Sequence, residues 1–75
     1  MTSTDFLDAF QDMLQRDDAI TLHDKLKEME EWDSLAFMAV VAFFDIHFDV
    51  RLTFEILEEC ITVEDVAKLA QGKIA

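Results

Sequence analysis

Residues 32–48 read Trp-Asp-Ser-Leu-Ala-Phe-Met-Ala-Val-Val-Ala-Phe-Phe-Asp-Ile-His-Phe. From Ser34 to Phe48 twelve of the fifteen residues are apolar, the exceptions being Ser34, Asp45 and His47. Asp33 stands where an N-cap accepts a first-turn amide, so the stretch predicts a helix from Ser34 to about Phe48. A helix apolar on every side is normally buried on every side. Three short companions in a chain of 75 residues cannot cover its whole circumference. Part of this helix is therefore expected to stay open, as a partner patch or as the wall of a pocket. Its longest apolar run, Leu35 to Phe44, is ten residues, about half of the roughly 20 that span a bilayer.

Apolar residues recur at helical spacing on both sides of this stretch. Upstream, Phe6, Leu7, Phe10 and Leu14 share one stripe while Asp5, Asp8 and Asp12 face away, which predicts a first helix over about 4–15 capped by Ser3 or Thr4. A long connection runs from about Arg16 to Trp32. Within it, Thr21 and Asp24 with Leu22, Leu26 and Met29 suggest a short extra helical turn. Downstream, Thr53 caps a short helix through about Glu59, with Phe54, Ile56 and Leu57 as its apolar residues. Thr62 caps a last helix of medium length, with Glu64 and Asp65 at the positive end of its dipole, Val63, Val66, Ala67, Leu69 and Ala70 inward, and Gly72 past its last turn. Proline is absent and glycine occurs once, so nothing punctuates strands. The fold class expected is all-α.

Composition narrows the function. Seventeen carboxylates against six Lys and Arg give a net charge of −11, which repels nucleic acid and anionic membrane surfaces and attracts basic partners. The charge is concentrated early: residues 1–33 hold ten acids and three bases, residues 34–52 two acids and one base. One cysteine, Cys60, forms no internal disulfide, and the N-terminus lacks a basic stretch followed by an apolar run. A soluble, cytoplasmic, monomeric protein is expected. His23 and His47 are far apart, with no ligand spacing of a zinc or di-iron site around them, and no acidic run has the central glycine of a calcium loop. His47 is expected at the negative end of the long helix, and Cys60 as a small apolar residue between the last two helices.

Ser34 is the residue with chemical potential. First-turn amides lack intrahelical partners and point outward, so a phosphoryl group attached there meets donors and a favourable dipole. Asp33 beside it is suited to holding the divalent metal that such transfers need. Nothing nearby activates Ser34 as a nucleophile, so the chemistry is done to this protein and not by it. On local grounds alone, Asp33 and Ser34 are ordinary helix-start residues and need no other role.

The stretch from Trp32-Asp33-Ser34-Leu35 through Val63 resembles acyl carrier proteins, whose Asp-Ser-Leu motif begins their second helix. Val40, Val41, Phe44 and Phe48 fall at the family's core positions, Asp49 follows the helix end, Leu52 precedes the short helix, and Ile61-Thr62-Val63 matches the start of the last one. The resemblance covers about residues 20–75 well and the first helix by pattern only. It implies a four-helix bundle with a long first loop, over a single domain 1–75. It also implies that Ser34 carries 4′-phosphopantetheine, transferred from coenzyme A by a phosphopantetheinyl transferase. The protein would be a carrier and no enzyme, passing thioester-bound acyl groups between acyl-loading and acyl-transfer enzymes.

The departures matter as well. Carriers of fatty-acid synthesis have acids on the exposed face of the second helix, whereas the matching positions here are Ala36, Ala39 and Ile46. Leu35, Phe37, Met38 and Ile46 are therefore expected to make apolar partner contacts, with Glu28, Glu30, Glu31 and Asp33 steering a basic partner from the loop side. The Glu-Trp-Asp-Ser-Leu start is more similar to freestanding carriers of specialised pathways, such as polysaccharide or secondary-metabolite synthesis. Asp33 argues against the peptidyl carriers, which usually have glycine-rich residues before the serine. The competing reading is a small helical interaction domain with no prosthetic group.

Overall fold

A computed structural model describes residues 1–74. Among them the chain forms α1 (Ser3–Leu14), a 3₁₀ turn (Leu26–Glu28), α2 (Ser34–Phe48), α3 (Phe54–Glu59) and α4 (Val63–Lys68). The all-α order expected from the sequence holds, and both long helices lie within a residue of their predicted bounds at each end.

Phe6, Phe10 and Leu14 bury one face of α1, and Phe37, Val40, Phe44 and Phe48 bury one face of α2. The Phe6 ring meets Phe44 edge-on at 6.1 Å, and Phe10 lies 5.6 Å from Phe6. Leu57 of α3 and Val63 and Val66 of α4 complete the fully buried set with Leu26 from the long loop. Asp5, Asp8 and Asp12 stay in water.

Each helix starts on a side-chain cap. Asp33 caps α2, Thr53 caps α3 and Thr62 caps α4, as the sequence indicates. The cap of α1 differs: Thr2, not Ser3 or Thr4, accepts the Asp5 amide at 3.1 Å. Ser3 and Thr4 already have helical backbone, and a cap must stand one step outside it. At the other ends, Gln15 (φ 53°) and Asp49 (φ 55°) take the left-handed conformation that lets the chain turn off a helix.

The long loop is pinned at its far end by backbone pairing. Leu26 donates its amide to the Ile61 carbonyl at 2.9 Å, and Val63 and Glu64 donate to the carbonyls of Asp24 and Leu22 at 3.1 and 3.0 Å. Those two amides open α4 and have no partner within it, so the loop supplies what the helix cannot. The expected extra turn exists as the 3₁₀ segment. Just before it Thr21 and Asp24 are joined directly, the Asp24 carboxylate accepting the Thr21 amide and hydroxyl, both at 3.0 Å.

The last helix is shorter than expected, six residues like α3. Beyond Lys68 the bonds tighten to the i−3 pattern (Leu69 to Val66, Ala70 to Ala67, Gln71 to Lys68), and Gln71 (φ 57°) and Gly72 (φ 84°) turn the chain away. Ala70 is nevertheless fully buried, so the predicted inner stripe survives the change of helix type. Lys73 then donates its ammonium to the Phe48 carbonyl at the end of α2.

Candidate functional site

Three interactions set the start of α2. Asp33, extended at φ −134°, accepts the Ala36 amide on Oδ1 at 3.0 Å, while its carbonyl accepts the Phe37 amide at 2.9 Å. The Asp33 amide donates to the Glu31 carbonyl at 3.0 Å. Trp32, half-buried, lodges its ring between Phe37 (4.7 Å) and Phe10 (5.8 Å) and so ties this junction to α1. Arg16 clips the loop from the other side, its guanidinium 2.9 Å from Glu31.

On this frame Ser34 is exposed at the first position of α2. Helix geometry leaves the amides of Ser34 and Leu35 without intrahelical partners. A shallow groove of about 380 Å³ opens beside them, lined by Met13, Leu14, Gln15, Glu31, Asp33 and Leu35 among others. The residues around Ser34 thus offer an accessible hydroxyl, unpartnered donors and a carboxylate already fixed by capping. That set can hold a phosphodiester at the helix start.

The open part of α2 is a stripe. Leu35 is 75 % exposed, Met38 59 % and Ile46 77 %, with Ala42 also exposed between them. Leu35 and Ile46 are three turns apart, so the stripe runs about 16 Å along one side. One expected contact position, Phe37, is not on it, and neither is Ala36, which was expected on the exposed face. Phe37 is buried, edge-on to Phe54 at 5.4 Å and against Trp32, and Ala36 is buried too. Both turn off the exposed stripe because successive residues rotate by about 100° around the helix, which takes Ala36 to its flank and Phe37 to the side away from Leu35.

The other singled-out residues take structural places. His47 stacks on Phe43 at 4.3 Å in the last turn of α2. Cys60 is buried at the end of α3 with its thiol donating to the Ile56 carbonyl at 3.5 Å, and burial together with Asp65 and Glu59 pushes that thiol up from its ordinary range. Among the described residues no group of three His, Cys, Asp or Glu side chains could hold a metal, and no helix is long and apolar enough to cross a membrane. Sequence reasoning missed Arg16 and the brace formed by Trp32. A lone base between Asp12 and Asp17-Asp18 was the available signal for the first.

Comparison with known proteins bears on this site directly. A family model described as phosphopantetheine attachment site matches residues 4–70. No curated protein matches the chain. Among solved structures, the solution structure of a holo acyl carrier protein from Geobacter metallireducens superposes with a TM-score of 0.69 at 21 % identity, over 93 % of this chain and 82 % of that one. That likeness gives the fold, and the family match covers most of the chain including α2. The chain accordingly belongs to the phosphopantetheine-attachment family of carrier proteins, which hold a covalent 4′-phosphopantetheine arm, and it has the acyl carrier fold.

Proposed function

We propose that Ser34 carries the 4′-phosphopantetheine arm, and that the protein tethers acyl groups there and presents them to partner enzymes. The observation that carries this reading is the exposed Ser34 hydroxyl at the first position of α2, inside the matched residues. The chain has only one other serine, Ser3, which is half-buried in the first turn of α1 and lies outside residues 4–70. When attached, the arm supplies a terminal thiol on which an acyl group is held as a thioester.

The protein's own residues do the positioning. Asp33 holds the first turn of α2 in register through Ala36, which keeps Ser34 facing outward. The Ser34 and Leu35 amides with the helix dipole favour a negative phosphodiester at that position. The second carboxylate oxygen of Asp33, on an exposed side chain, is suited to a transferase's divalent metal. Leu35, Met38 and Ile46 give a partner an apolar contact starting one residue from the attachment point. Glu28, Glu30 and Asp33 are exposed beside it for a basic rim, while Glu31 is engaged by Arg16. Such a protein is a substrate of its partners, among them a phosphopantetheinyl transferase, and performs no catalysis itself. It works as one domain and as a monomer, and the free, buried Cys60 supports placing it in a reducing compartment such as the cytoplasm.

Peptide mapping tests the attachment residue. Cleavage after Lys27 and Arg51 releases residues 28–51, which contain Ser34 as their sole serine. After loading from coenzyme A, the phosphopantetheine should be found on that peptide. Its recovery on the N-terminal peptide that holds Ser3 would overturn the assignment.

A further inference from the structure

At the Ser34 end of the bundle α2 meets α3 through aromatic rings. Phe37 follows Ser34 by three residues, hence adjoins it on the helix surface one turn on. Its buried ring meets Phe54, the first residue of α3, edge-on at 5.4 Å and 85°. Behind it the contacts continue through Trp32 at 4.7 Å, Phe10 at 5.8 Å from Trp32, and Phe6 at 5.6 Å from Phe10. Rings at these separations are in van der Waals contact, and opening them for an inserted chain would forfeit packing on both sides. Of the apolar side chains left in water, Leu35, Met38 and Ile46 form the stripe on the other side of α2, while Phe54 and Ile56 lie on α3 and Ile61 just after it.

We propose that the acyl group carried by this protein stays outside the bundle, excluded by Phe37 and Phe54. The inference rests on Ser34 as the attachment residue. It also names the class of cargo. Each methylene of an alkyl chain left in water is unfavourable, so the protein suits short or polar acyl groups. A longer chain is covered by the partner enzyme and not by the carrier. Phe54 is 41 % exposed and forms the outer leaf of the plug, so its truncation opens a crevice without emptying the core.

The test compares two thioesters on the full chain. A broad-specificity phosphopantetheinyl transferase loads the protein from acetyl-coenzyme A or octanoyl-coenzyme A, and intact mass verifies each product. Cleavage of each thioester by hydroxylamine is then timed. The native protein should release both groups at equal rates, and the octanoyl form should melt at the same temperature as the unacylated holo form. In Phe54→Ala, the octanoyl thioester should be slowed by about threefold or more relative to acetyl, because the opened crevice takes the chain. Protection of the octanoyl group in the native protein overturns the inference, as does a Phe54→Ala variant that still treats both thioesters alike. Loading that persists in Ser34→Ala refutes the attachment residue itself, and is told apart by mass before any cleavage is timed.

Discussion

Asp33 performs its capping with one oxygen of an exposed carboxylate. Replacing it by alanine removes the partner of the Ala36 amide, and loss of such a cap costs about 1 kcal/mol. Asn keeps an acceptor oxygen, so Asp33→Asn should unfold in urea close to the native protein, while Asp33→Ala shifts to lower denaturant. If the second oxygen also serves the transferase's metal, both variants should load slowly. Stability and loading would then separate in Asp33→Asn. Equal loading by Asp33→Asn and the native protein would confine Asp33 to its capping role. The same residue scale explains why Phe37 was misplaced by sequence reading. Where nearly every residue of a helix is apolar, no polar face marks which side is out, and only the packing of Trp32 and Phe54 decides it.

At the scale of elements, the start of α4 is held by an ionised carboxylate. Asp65 accepts the Ile61 amide at 3.0 Å and the Thr62 amide at 3.1 Å, and the Asp65 amide donates to the Thr62 hydroxyl oxygen at 3.3 Å. These backbone donors hold its carboxyl below the usual carboxylate range. A depressed folded value means that the ionised group's stabilisation is complete above the unfolded value and is lost as pH falls through the folded one. The melting-temperature gap between the native protein and Asp65→Asn should thus be full at neutral pH and close in acid below the carboxylate range. A gap independent of pH would show that the bond geometry matters and the charge does not. On α2 the exposed stripe gives a separate outcome. Ile46→Glu should leave far-UV circular dichroism unchanged, since Ile46 is 77 % exposed, yet slow acyl transfer to the cognate enzyme. Normal transfer would remove Ile46 from the docking surface. The four helices and three of their caps were legible because Asp33, Thr53 and Thr62 each precede an apolar helical pattern. The pairing of Leu22 and Asp24 with the start of α4 was not, because backbone bonds between distant segments leave no trace in residue type.

The whole molecule has a radius of gyration of 11.0 Å, matching the roughly 11 Å expected of one compact domain of this length. Its stability is concentrated in a few rings. Phe10 is fully buried between Phe6 and Trp32, and Phe→Ala at such a site costs about 3–5 kcal/mol. That approaches the total expected of a small domain. Phe10→Ala should therefore be largely unfolded at about 37 °C by circular dichroism; a cooperative transition at the native midpoint would contradict an aromatic core of this kind. The acidity and the single core were visible in composition. The identity of the open stripe needed the fold. All of this converges on one serine held outward at the start of α2. Intact mass after incubation with coenzyme A, magnesium and a broad-specificity phosphopantetheinyl transferase tests that claim most directly. The native chain should gain the mass of one phosphopantetheine and Ser34→Ala should gain none; a native chain that gains nothing, or a Ser34→Ala chain that gains as much, would contradict it.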